Sequence, residues 1–226
     1  MGTLNTSSIE AWKNLQQDIA ATCKEYHCSL ESVELIAVSK TVAAQHIVPL
    51  LQAGQRLFAE NRVQEAAQKW PFLRQQFEAI KLHLIGPLQS NKTAEAVKIF
   101  DIIQTVDREK IAQKLSEEMH KQKKYLPCYV QVNIGLEPQK SGIAPQEVAD
   151  FVTLCKNQYG LDIIGLMAIP PVEENSGPYF ALLAKLAKRA GVSKLSMGMS
   201  NDFKTALQFG ANTLRIGTAL FGQRPL

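Results

Sequence analysis

The sequence predicts an α/β protein: a single (β/α)8 barrel of the TIM type with an extra N-terminal helix. Three observations carry that expectation. Short runs rich in Val, Ile and Leu alternate with stretches of helical period along the whole chain, and eight such runs can be read. The connections between them are mostly short, which favours parallel strands closing into a barrel over an open doubly wound sheet. The length of 226 residues suits one such barrel and leaves no room for a second domain, so residues 1–226 are expected to form one domain.

In order, residues 8–27 read as the extra helix, because Ile9, Trp12, Leu15 and Ile19 recur at three- and four-residue steps. Residues 33–38 form the first strand and 43–53 the first barrel helix, closed by Gly54. Residues 56–59 are the second strand. The helix at 63–77 contains Pro71 and is expected to kink or break there. The third and fourth strands lie at 82–85 and 102–105, with a helix at 92–100 between them. Asp107 is the expected N-cap of the helix at 108–123. Residues 128–133 are the fifth strand, and the helix at 145–157 begins at Pro145. The remaining strands are 162–167, 194–196 and 213–216, with helices at 178–190 and 202–209. The longest irregular stretches, 135–144 and 170–177, follow strand ends, where functional loops of a barrel belong.

Composition narrows the function. Hydrophobic residues at 46% and charged residues at 20% describe an ordinary globular chain, so disorder is expected only at the termini. The net charge of +4 fits a small anionic ligand and supplies no nucleic-acid footprint. The densest basic run, Lys121 to Lys124, ends a helical pattern and reads as a solvated helix end. Cys23, Cys28, Cys128 and Cys155 form no CxxC pair. They read as reduced thiols of a cytoplasmic protein, with Cys128 in a buried strand. No metal site, membrane span or secretory signal is expected. A loose match to an N-terminal acylation pattern at Gly2 is short enough to arise by chance.

A barrel gathers the C-terminal ends of its strands into one cup. Those ends carry Ser39-Lys40, Glu60-Asn61, Gly86, Thr105, Asn133, Ala168 to Pro170, Gly198 to Ser200, and Gly217-Thr218. Lys40, directly after the first strand, would project into a partly enclosed site. Desolvation there favours a neutral amine, which condenses with aldehydes. A lysine snorkelling at a strand end has the same sequence position. The loops after the seventh and eighth strands are the usual phosphate site of such barrels. Gly217 lets the backbone approach an anion, Ser200 and Thr218 add hydroxyl donors, and Ser200 is expected to start a helix with Asn201 and Asp202 as caps. Each residue alone is explained equally by turn and capping chemistry. An amine opposite an anion cradle fits a phosphorylated aldehyde. Arg215, two residues before the cradle, would reach a ring nitrogen or an acidic group, or pair with a carboxylate such as Glu60.

The sequence resembles the pyridoxal phosphate homeostasis protein family, relatives of the N-terminal barrel of alanine racemase. The resemblance rests on eight stretches in order: Ala37–Thr41, Glu60–Glu65, His83–Gly86, Leu88–Lys92, Lys140–Gly142, Gly165–Met167, Leu195–Ser200, and Arg215–Thr218 on through Phe221-Gly222. It implies the PLP fold type III barrel, with pyridoxal 5'-phosphate (PLP) as the cofactor and Lys40 as its Schiff-base lysine. It also implies Ser200, Gly217 and Thr218 around the phosphate, Arg215 facing the pyridine nitrogen, and Asn61 lining the same pocket. An arginine partner leaves that nitrogen unprotonated and the ring a poorer electron sink, in keeping with holding the cofactor rather than turning over a substrate. The chain departs from the family at Ala59, where glycine is usual, and at Pro87, where a histidine usually follows the strand-three glycine. The racemase's second domain, which supplies an opposing tyrosine base, has no counterpart.

Three functions therefore compete. The first is a monomeric cytoplasmic carrier, store or regulator of PLP, with PLP-dependent apo-enzymes as candidate recipients and no catalytic residue of its own. The second is a PLP-dependent amino-acid racemase, which would need a further acid/base such as His83 or Tyr129. The third is a Schiff-base aldolase on a sugar phosphate, whose lysine would more typically lie on a later strand.

Overall fold

The computed structural model describes residues 3–222, with side chains from residue 8 onward. Gly2 of the acylation pattern lies outside the described residues. Eight parallel strands close into a barrel in sequence order: β1 (Glu34–Val38), β2 (Leu57–Glu60), β3 (Lys81–Leu84), β4 (Ile102–Val106), β5 (Cys128–Val132), β6 (Ile163–Ala168), β7 (Lys194–Ser196) and β8 (Thr213–Ile216). The helices are α1 (Thr3–Glu25), α2 (Ala44–Gln52), α3 (Val63–Gln76), α4 (Thr93–Ile99), α5 (Glu109–Gln122), α6 (Val148–Asn157), α7 (Ser176–Arg189), α8 (Phe203–Gln208) and α9 (Thr218–Phe221).

The extra helix completes the outer ring. Among the described residues the position after β8 holds the four-residue α9, too short to cover the sheet. Helix α1 packs against α2, α8 and α9 and fills that place, burying Leu15, Ile19 and Cys23. Trp12 donates to Gln55 Oε1 at 2.9 Å, and Gln55 donates onward to the carbonyls of Leu35 and Leu57. The helix is thereby tied to β1 and β2.

Most of the core lies between sheet and helices, where Phe58, Trp70, Leu82, Leu84, Phe100 and Phe180 are buried. Inside the barrel Ile36, Val38 and Ala59 form a small apolar cluster on the β1–β2 side. The opposite side is polar and holds His83, Gln104, Ser196, Thr213 and Arg215, all buried.

Several expected elements differ in detail. Helix α3 runs unbroken through Pro71. The proline withdraws one hydrogen bond from the Ala67 carbonyl, while Trp70 and Leu73 on either side are buried and hold the helix to the sheet. Asp107 does not cap α5: the N-cap position is Arg108 and carries no side-chain cap bond. The Asp107 carboxylate instead accepts from Arg108 Nη1 at 2.6 Å. Ser200 does not start a helix either, since α8 begins at Phe203. Helix α7 starts two residues earlier than its proline suggested, with Asn175 accepting from the Gly177 amide at 3.0 Å.

Gly165 marks where β6 and β7 pack most tightly. A Cβ there would lie 2.2 Å from the Lys194 carbonyl oxygen, a backbone atom with no rotamer to escape into. Gly165→Ala should therefore lower the unfolding free energy by about 1–3 kcal/mol, the usual range for overpacking. Urea unfolding measures it, and an unchanged midpoint would mean that the two strands separate freely.

Candidate functional site

The C-terminal strand ends open onto one cavity of about 680 Å³. Lys40, Asn61, Ser200, Arg215, Gly217 and Thr218 all line it, together with Val38, Ile85 and Met199. Ile169 and Pro170, expected in the cup, and Asn201 and Asp202, expected as caps, are also in the wall, and Pro171, Val172, Glu174, Asn175, Ser176 and Thr205, which sequence reasoning did not single out, complete it. The irregular stretch after β6 was the available signal for the first of these. Asn133 and Thr105, also read as cup residues, do not line the cavity. Asn133 folds the 135–144 loop by bonding Glu137 and Lys140 backbone atoms, and Thr105 donates to the Gly86 carbonyl.

Lys40 sits half-buried on a turn after β1. Next to it Thr41 has φ of 61°, a left-handed conformation that costs a β-branched residue about 1–2 kcal/mol. Its N–H donates to Glu65 Oε1 at 2.6 Å. Lys69 of α3, itself buried, donates to the carbonyls of Ser39 and Val42, both at 2.9 Å. Its ammonium also pairs with Glu60 at 2.8 Å and Glu65 at 3.0 Å. Glu60 points outward from the barrel into this cluster, where Ser39 Oγ and Trp70 Nε1 donate to it. Burial raises the Glu60 pKa, and Lys69 opposes that shift. Glu60 is therefore unavailable to pair with Arg215.

Arg215 forms part of the cavity floor and is 4% exposed. Its Nη1 donates to Ser196 Oγ at 2.7 Å and its Nη2 to the Ala168 carbonyl at 2.9 Å. Ser196 donates to Gln104 Oε1 at 2.6 Å, and the Gln104 amide nitrogen meets His83 Nδ1 at 2.9 Å. The chain runs one way, from guanidinium to hydroxyl to amide to imidazole. Burial lowers Arg215 to about 10, so it stays cationic at neutral pH. Among the described residues no carboxylate lies within ion-pair distance of it. A guanidinium carries five N–H donors, and a buried one without an anion is costly unless an acceptor meets it.

On the far side, Gly198 turns the chain after β7 with φ of 91°, where a Cβ would strike Ala206 at 2.6 Å. The loop is stitched to β8 by Arg215 N–H to the Gly198 carbonyl, and Asp202 accepts from the Met199 amide. Ser200 Oγ accepts from the Ala219 amide at 3.2 Å, which holds its hydroxyl beside Gly217 and Thr218 at the start of α9. Hydroxyls and backbone N–H groups gathered in this way suit an anion. Lys40, the cradle and the acceptor-seeking Arg215 thus border the same space, and this donor set fits a phosphorylated aldehyde with a ring acceptor.

Both departures are accommodated. Ala59 is buried in β2 without positive φ, and its methyl joins the inner apolar cluster. Pro87 is exposed and does not line the cavity. Gly86 beside it presses on Asn61, whose carbonyl oxygen would lie 2.1 Å from a Cβ. His83 and Tyr129 are buried inside the barrel, Tyr129 bonding Thr213 at 3.2 Å, and neither reaches the cavity. Among the described residues no group could hold a metal ion, the four cysteines are free, and no helix is long and apolar enough to cross a membrane.

Comparison with known proteins agrees with this architecture. The family described as the alanine racemase N-terminal domain matches residues 15–225. The pyridoxal phosphate homeostasis protein of Haemophilus influenzae is 39% identical over 220 residues, 93% of each chain. That of Vibrio cholerae is 42% identical over 206 residues, covering 85% of this chain and 86% of the relative. The structure of PipY from Synechococcus elongatus with PLP bound superposes with a TM-score of 0.82 at 33% identity, over 95% of this chain and 100% of that one. Alanine racemase from Bartonella henselae, with covalently bound pyridoxal phosphate, superposes with a TM-score of 0.74 at 17% identity, over 98% of this chain and 61% of that one. This last likeness shows the shared barrel.

The interior chain has a measurable pH signature. Burial, with a smaller contribution from Lys81, pulls His83 from 6.5 down to about 3. Between those values the unfolded chain holds a proton that the barrel refuses. Stability is therefore full above pH 6.5 and is lost as pH falls toward 3, by up to about 1.36 kcal/mol per pH unit. In urea unfolding at several pH values, His83→Gln should flatten that slope by about one proton. An unchanged slope would show that the imidazole is already protonated in the barrel.

Proposed function

The chain belongs to the alanine racemase N-terminal domain family and, within it, to the pyridoxal phosphate homeostasis proteins, and from that premise we propose that it binds PLP covalently on Lys40 and holds or hands on the cofactor. The observation that carries the reading is the buried Arg215, which forms no ion pair among the described residues, on the floor of the cavity that Lys40 and the Ser200–Gly217–Thr218 cradle also line. Bound PLP supplies an aldehyde that takes up amines and a ring that can draw off electrons.

In this reading the cradle takes the phosphate, with Ser200 and Thr218 as hydroxyl donors and Gly217 admitting the backbone. Arg215 donates to the ring nitrogen. A cationic guanidinium is too weak an acid to give up a proton to the ring at neutral pH, so the nitrogen stays unprotonated and carbanion chemistry is disfavoured. Asn61 contributes to the wall. The ionisable groups of the wall are Lys40, Arg215, Asp202 and Glu174. Asp202 is engaged by the Met199 amide, and Glu174 accepts from Tyr179. No histidine, tyrosine or cysteine stands among the described wall residues, which favours a holding role over racemisation. We take residues 1–226 to act as one domain, as a monomer in the cytoplasm, with PLP-dependent apo-enzymes as recipients.

Purified protein should absorb in the visible, and borohydride should leave a pyridoxyl-phosphate mass on the peptide containing Lys40. Lys40→Ala should abolish that adduct while weaker, phosphate-anchored binding survives; an adduct persisting in this variant would refute the assignment. Thr218→Val should weaken PLP retention by roughly tenfold, the worth of one hydrogen bond to a charged group. Unchanged retention would place the phosphate elsewhere. The loaded protein should not racemise L-alanine, and formation of D-alanine would favour the enzyme instead.

A further inference from the structure

Lys69 lies behind the cavity wall and does not line it. It nevertheless spends a buried charge on the segment that carries Lys40. We propose that Lys69 is a positioning residue for Lys40: it clamps the turn from residue 39 to residue 42 through two carbonyls, and through Glu65 it holds the Thr41 amide. The role of Lys40 rests on the function proposed above; the clamp itself is a property of the chain without cofactor.

The position in α3 does not call for a charge. Its neighbours on the buried face are Ala66, Trp70 and Leu73, and an apolar side chain would pack there without desolvating an ammonium. What the ammonium gains is specific. The two carbonyls it binds belong to Ser39 and Val42, one residue before Lys40 and two after it. Its ion pair with Glu65 fixes the carboxylate oxygen that receives the Thr41 N–H. Its pair with Glu60 fixes the oxygen that receives Ser39 Oγ. Ser39, Thr41 and Val42 are therefore bound, directly or through one carboxylate, to this single ammonium. The left-handed Thr41 explains the need. A β-branched residue leaves that conformation unless its surroundings hold it. If Thr41 relaxed to an extended φ, the backbone direction at Lys40 would change, and the amine would leave its place in the wall. The anion cradle and Arg215, on the other side of the cavity, would be untouched.

The test uses Lys69→Met and Glu65→Ala. The second removes the Thr41 acceptor from a side chain that is 27% exposed and leaves the Lys69–Glu60 pair intact, so it serves if the first fails to fold. In cofactor-free protein, hydrogen exchange at the Thr41 amide should accelerate by at least about tenfold in either variant. With PLP added at saturation, borohydride trapping on Lys40 should slow by about tenfold. PLP affinity measured in a Lys40→Ala background should change by less than about threefold when either variant is added. General loss of structure would weaken trapping and affinity together, and that result would overturn the clamp, as would unchanged Thr41 exchange. Absence of any adduct in the unsubstituted protein would refute the covalent role of Lys40, and Thr41 exchange would still decide the clamp.

Discussion

The pairing of β1 with β8 is the constraint on which the site depends. Its register sets Ile36 beside Arg215 and Ala37 beside Ile216. An open eight-stranded sheet would leave two rows of unpaired backbone donors and acceptors, and closure removes both. The same closure makes neighbours of the strand that leads to Lys40 and the strand that leads to Gly217 and Thr218, which lie at opposite ends of the described chain. Helix α1 makes the closure durable. It covers the seam where, among the described residues, the segment after β8 supplies four residues of helix.

The inside of the barrel is divided by chemistry. Beside β1 and β2 it is apolar, with Ile36, Val38 and Ala59 in contact. Toward β3, β4, β7 and β8 it carries the directed chain from Arg215 to His83. In a low-dielectric interior such a chain is worthwhile only where its members satisfy one another. Here the outstanding group is His83 Nε2, buried without a partner among the described residues, at the end remote from the cavity. The end facing the cavity is the guanidinium, which stays charged and keeps donors for a ligand. The interior thus commits two of the arginine's donors to protein acceptors and orients the rest.

Strain and buried charge collect behind one wall of the cup. Thr41 in a left-handed conformation, Glu60 with its pKa raised by burial, and Lys69 taken out of water all lie around the Lys40 turn. Each is unfavourable by itself. Together they offset one another, because one ammonium serves two carbonyls and two carboxylates, although Glu60 Oε2 has no hydrogen-bond partner among the described residues. A rigid barrel whose apolar shell lies elsewhere can carry such a local arrangement.

Much of this protein was legible in its sequence, for definite reasons. The alternation of short apolar runs with period-3.6 patterns announced eight strand–helix units. The rule that strand ends share a cup then brings Lys40, Asn61, Ser200, Gly217 and Thr218 together, and the family resemblance adds Arg215. Local chemistry misled where it has more than one outlet. Asp107 is a good capping residue that found an arginine, and Pro71 is a helix breaker outweighed by buried neighbours. The sequence by itself determined the fold class and which loops meet, because both follow from periodicity and chain order. Tertiary structure alone decided that Glu60 turns outward to Lys69 while Arg215 turns inward to Ser196. Those choices depend on strand register and on which face of each strand is enclosed, and both are set by pairing between segments far apart in the chain.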